Sequence, residues 1–123
     1  MTWTPLRTLT TAGPDSSTPS DPAAFVAPTD AGAWCADQNR IRYLEIAFDD
    51  WALTRGATSV TLGLWRLSDG ALDRVASLHF GATPPPVPSI LEVHGSSFAL
   101  SVESLDVAGG AVTASARMRP VRR

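Results

Sequence analysis

The chain reads as an all-β protein, an antiparallel β-sandwich of jelly-roll type with six to seven strands behind an extended Pro-rich N-terminal arm. Three observations predict this. From position 40 onward apolar residues recur every second position, as in "IRYLEIAFD", "SFALSVES" and "AVTASARM". No stretch sustains the 3.6-residue spacing of a helix. Turn residues punctuate the alternation at Arg55-Gly56, Asp69-Gly70 and Gly109-Gly110. The 123 residues suit one domain, and 44% hydrophobic residues are enough for a core.

The arm comes first, over residues 1–39. The stretch "TAGPDSSTPSDPAAFVAPTDAGAW" carries four Pro and three Asp. It excludes a long helix or a central strand. Its anchors are Trp3, Leu6, Leu9, Phe25, Val26 and Trp34, which favour docking across a surface over full disorder.

The sandwich domain follows, over residues 40–118. In "IRYLEIAFD", Leu44, Ile46 and Phe48 share one face; Ile41, Tyr43, Glu45 and Ala47 share the other. "DDWALTRGAT" has turn character around Arg55-Gly56, with room for one short helical turn before it. "SVTLGLWRLSDGALDRVASLHF" reads as a hairpin whose register decides which face is buried. A two-residue turn at Asp69-Gly70 makes both faces apolar. A three-residue loop, Ser68-Asp69-Gly70, pairs Leu67 with Ala71. It gathers Val60, Leu62, Leu64, Leu72, Ala76, Leu78 and Phe80 on one face, and leaves Trp65, Val75 and small polar residues on the other. The better sorting selects the three-residue loop. Trp65 on that outer face is either covered by the arm folding back or meets a neighbouring subunit.

"GATPPPVPSILEV" is a stiff Pro-rich crossover from one sheet to the other. "SFALSVES" places Phe98, Leu100 and Val102 opposite Ser97, Ala99, Ser101 and Glu103. "LDVAGG" is a Gly-Gly turn. "AVTASARM" sets Val112, Ala114, Ala116 and Met118 against Thr113, Ser115 and Arg117. The chain closes in a basic tail, residues 119–123.

Charge and composition narrow the function. Charged residues are 18% and the net charge is −2, so nothing draws the whole chain to nucleic acid. Every basic residue is Arg, and four of the ten lie in "RMRPVRR": Arg117, Arg119, Arg122 and Arg123. That cluster can meet phosphates, solvent or acidic patches on a neighbour. The single Cys35 permits no internal disulfide and reads as a buried small residue. The N-terminus lacks the pattern of a signal peptide, and no apolar run reaches membrane-span length, so synthesis and retention in a cytoplasm are expected.

Candidate chemistry is thin. His79 falls on an outer strand face and His94 in a turn; neither finds a third metal ligand by spacing. Asp49-Asp50 at a strand end reads as a turn or cap, since the rest of a calcium loop is missing. "HGSSF" holds His94 and Ser96 but not the strand-turn-helix setting of a nucleophilic serine. No enzyme activity, cofactor or metal is expected.

In style the chain resembles accessory virion proteins of tailed bacteriophages: capsid decoration (cement) proteins and small tail modules. The resemblance rests on the arm "TPLRTLTTAGPDSSTPSDPAAF", the strands "YLEIAFD", "SVTLGLWRL" and "FALSVES", and the ending "ARMRPVRR". It implies a non-enzymatic structural protein that is made in the host cytoplasm and resides in the virion. It further implies binding to the major capsid protein or other virion proteins, and a dimer or trimer. No membrane partner is implied, and nucleic acid is not expected. The interface candidates are Trp3, Leu6, Leu9, Phe25, Val26, Trp34, Trp65, Val75, Arg117, Arg119, Arg122 and Arg123. The alternatives are a tail, fibre-attachment or receptor-binding module, and a carbohydrate-binding sandwich. The last is favoured if Trp51, Trp65 and Tyr43 line one exposed face.

Overall fold

A computed structural model describes residues 3–10, 24–28, 41–68, 71–83, 88–95 and 97–121. Seven strands run in chain order: β1 (Thr4–Leu9), β2 (Ile41–Thr54), β3 (Ser59–Ser68), β4 (Ala71–Gly81), β5 (Ser89–Gly95), β6 (Ser97–Leu105) and β7 (Ala111–Pro120). They form two antiparallel sheets, a four-stranded one of order β1-β7-β2-β5 and a three-stranded one of order β4-β3-β6. One cluster of buried side chains draws on both. Leu44, Ile46, Val112 and Met118 come from the first sheet, and Val60, Leu62, Leu64, Phe98, Leu100 and Val102 from the second. The alternation in "IRYLEIAFD", "SFALSVES" and "AVTASARM" therefore names the core face correctly.

The chain changes sheets four times, between β2 and β3, β4 and β5, β5 and β6, and β6 and β7. The Pro-rich segment after β4 does link the two sheets. The turn over "VAGG" also joins strands of different sheets rather than closing a hairpin. Gly110 N–H donates to Val107 O at 3.0 Å, and Gly109 takes the positive φ of 81° that a type II turn asks of its third residue. The turn after β2 has positive φ at both Arg55 and Gly56, 57° and 85°, as in a type I′ turn.

Several expectations need correction. Residues 4–9, read as arm, form edge strand β1 on β7, with Leu6 and Leu9 in the core. Two leucines three positions apart are too few to announce a strand by periodicity, and a register shift between Pro5 and Arg7 hides the alternation. Asp49-Asp50 is not a strand end. β2 passes through a bulge there, with Asp50 at φ 57° and Asp49 and Ala52 facing Ser115 and Thr113. The extra residue turns Trp51 inward, so Phe48 and Trp51, three apart, both face the core. With Phe80 of the other sheet they form three edge-to-face pairs, one of them with each other, with centroids 5.2–5.4 Å apart. Trp51 Nε1 donates to Gly81 O at 3.0 Å. No helical turn precedes Arg55.

The β3–β4 hairpin combines the two registers. Near the turn Ser68 faces Ala71 and Leu67 faces Leu72, the pairing of a two-residue loop. A bulge between Leu64 and Trp65 then restores the sorted register, with Leu64, Leu62 and Val60 opposite Ala76, Leu78 and Phe80. The extra residue is Val75, which packs against the core and not on the outer face. The tail is shorter than read: Arg119 and Pro120 belong to β7, and Val121 N–H donates to Tyr43 O. His94 lies within β5 rather than in a turn. Trp34, Cys35, Arg122 and Arg123 lie outside the described residues.

Candidate functional site

Chemistry-bearing side chains gather on the outer faces of the two sheets. On the three-stranded sheet the centre is Gly63 on β3, with Ser77 of β4 on one side and Ser101 of β6 on the other. Two bulges flank it. One leaves Val75 unpaired on β4 next to Arg74; the other, between Thr61 and Leu62, leaves Glu103 unpaired on β6. A bulge re-aims the side chains beside it. Here both send a charge over the middle strand, and Arg74 Nη2 meets Glu103 Oε2 at 2.7 Å. The pair spans two strand spacings, on the order of 10 Å between backbones. Gly63 makes the crossing possible: a Cβ there would overlap Glu103 Oε1 and lie 3.0 Å from Trp65 Nε1.

Trp65 is fixed in the same cluster. Its Nε1–H donates to Ser101 Oγ at 2.9 Å, and Arg74 lies over its ring 5.4 Å from the centroid. Half-buried Trp65 covers Ser101, which is why this polar residue is buried on an outer face. Glu103 Oε1 is buried and has no hydrogen-bond partner among the described residues. Alongside, Thr61 Oγ1 and His79 Nδ1 share a hydrogen bond of 2.9 Å.

On the four-stranded sheet the cluster is built by strand register. Arg119 stands opposite Glu45 and their side chains meet at 2.6 Å. Arg117 reaches Asp49 one pair further along, Nε to Oδ2 at 2.9 Å, close as an ion pair but without the alignment of a hydrogen bond. Both guanidinium groups lie 4.3 Å from the ring centroid of Trp3. Three expected interface residues from opposite ends of the sequence are thus brought together. Their positive charge is matched by two carboxylates, Asp49 and Glu45.

The remaining expected residues separate. Leu6 and Leu9 are core side chains with no surface to offer a partner. Val26 forms a bridge with Phe98, exchanging hydrogen bonds of 2.8 and 2.9 Å at the open edge of β6, with Phe25 half-buried beside it. Arg7 Nη1 donates to Leu100 O at the same edge, at 2.9 Å. Val26 and Arg7 thus occupy this edge at Phe98 and Leu100. Tyr43, Trp51 and Trp65 do not share a face: Trp51 is 8% exposed in the core, and the other two belong to different sheets. Among the described residues no group of His, Cys, Asp or Glu is arranged to hold a metal ion.

Sequence reasoning missed Gly63, Arg74 and Glu103. Glu103 showed only as one polar residue on the outer face of "SFALSVES", and nothing local marks a bulge that lifts it over a neighbouring strand. No family model matches the chain, and no curated protein or solved structure shows significant similarity to it.

Proposed function

We propose that the chain is a non-enzymatic structural protein of a virion that decorates and braces a phage capsid. In this reading its strands form a jelly-roll-like sandwich, and its Trp65 face and Pro-rich arm dock on the major capsid protein as a dimer or trimer. The observation that carries the reading is the way Trp65 is held. It sits half-buried on a sheet face, its indole N–H bonded to Ser101 and its ring under Arg74. A tryptophan ordered before contact loses little rotamer freedom on docking, the property that makes it an interface anchor. The matched ion pairs on the opposite face favour a protein partner over nucleic acid. Binding to an assembled lattice in preference to free subunits would stabilise the shell by mass action.

The test is pelleting of the purified chain with shells assembled from the major capsid protein of the same genome. Stoichiometric retention is expected, and Trp65→Ala should weaken it about tenfold or more, as loss of a buried aromatic anchor does. A chain that stays in the supernatant at saturating concentration overturns the reading. Retention on isolated tails instead of shells moves the protein to the tail.

A further inference from the structure

We propose that β1 is an exchangeable strand, able to leave its own β7 and dock on the β7 of a second copy of this chain. Connection lengths set β1 apart from the other strands. β2 and β3 are joined by four residues, β3 and β4 by two, β5 and β6 by one, and β6 and β7 by five. β1 is different. Sixteen residues, 10–25, separate Leu9 from the anchor point at Val26. Extended, sixteen residues reach about 50 Å, and Pro14, Pro19 and Pro22 lie among them. A second copy is within reach even while Val26 stays on Phe98.

The seat of β1 is also separable from the rest of the fold. β1 is the edge of its sheet, and β7 keeps its full pairing with β2 when β1 leaves. What remains is a row of unpaired β7 backbone groups, two gaps where Leu6 and Leu9 were buried, the Leu100 carbonyl that Arg7 reached, and the Arg117 and Arg119 groups that held Trp3. The segment that matches all of these at once is another β1. Closed and exchanged forms make the same contacts, so the balance between them rests on loop closure against association and shifts with concentration. This inference stands apart from the capsid reading and holds whatever the chain docks on.

Cross-linking decides it. Thr8 and Ser115 are both exposed and face each other across β1 and β7, at the separation of directly opposed strand residues, which a disulfide bridges. In a Cys35→Ser background, Thr8→Cys and Ser115→Cys are made on separate chains, mixed at high concentration, incubated and oxidised. A covalent dimer of the two different variants, its yield rising with concentration, is the expected result. The chain carrying both substitutions is the control for the pairing itself and should close internally when dilute. Internal closure of that control with no dimer from the mixture overturns exchange. Failure of the control to close overturns the β1–β7 seat on which exchange depends.

Discussion

The two outer faces carry the same three ingredients, a tryptophan, arginine and a carboxylate, and assemble them by different means. On the four-stranded sheet Glu45 and Arg119 are direct cross-strand neighbours, and Asp49 and Arg117 are diagonal ones. Regular pairing alone brings them together. On the three-stranded sheet Arg74 and Glu103 belong to strands that do not touch. They meet only because two bulges aim them and a glycine between leaves the path clear. The first cluster is a by-product of register. The second depends on two departures from register and a glycine between them acting together.

Breaking the glycine should have the largest effect. Gly63→Val pushes two methyl groups into space held by Glu103 and Trp65, and overpacking of that kind costs about 1–3 kcal/mol. Urea denaturation should show a lowered midpoint with unchanged slope. The same variant made with Glu103→Ala should recover part of the loss, because the overlapping carboxylate is gone. No recovery would mean that the glycine serves the backbone and not the ion pair.

A smaller effect is expected on the other face. Trp3→Ala removes the ring that Arg117 and Arg119 both contact but leaves their carboxylates in place. Exposed cation–π contacts are worth about 0.5–1 kcal/mol, and the loss should appear in the same denaturation experiment. A deficit as large as that of Gly63→Val would erase the contrast between the faces.

The smallest effect, and one confined to a pH window, belongs to neither face. Asp106 accepts from the Thr58 hydroxyl and from the backbone N–H groups of Thr58 and Ser59, the latter two at 2.9 and 3.1 Å. The Thr58 hydroxyl first, then these N–H groups, hold its pKa below the ordinary carboxylate value. A lowered folded pKa contributes stability that is complete above the unfolded value, about 3.9, and is lost as pH falls through the folded value. Asp106→Asn should therefore lower the urea midpoint at pH 6, and the gap to the parent should close as the medium is acidified below about pH 4. A gap that persists unchanged in strong acid would assign the effect to something other than the charge.

The fold was legible where one rule acts alone. Leu44-Ile46-Phe48, Phe98-Leu100-Val102 and Val112-Ala114-Ala116-Met118 alternate without interruption, and each run lies on the core side. Legibility failed at the bulges. Asp50 lets Trp51 join Phe48 in the core, so an aromatic residue counted as a possible surface platform is buried. Val75 absorbs the mismatch between a two-residue turn and a sorted face, and so goes inward. β1 escaped notice because Leu6 and Leu9 are buried three apart across an irregular register, between residues that read as an arm. In each case one inserted residue reverses the parity on which pattern reading depends, and the partner strand that decides where it goes is far away in sequence.

The pairing of β1 with β7 also sets how the protein would carry load. Thr4 lies opposite Met118 and Leu9 opposite Ala114, so the outer end of β1 and the outer end of β7 sit at the same end of the ladder. A pull between Trp3 and Val121 acts across the strands and not along them. It would peel the pair open one rung at a time, starting at the indole that two arginines contact, whereas a pull between Trp3 and Ala111 would have to shear every rung at once. Mechanical resistance in this molecule is therefore a matter of where the force is attached, and the side of β1 on which Trp3 sits is the weak one.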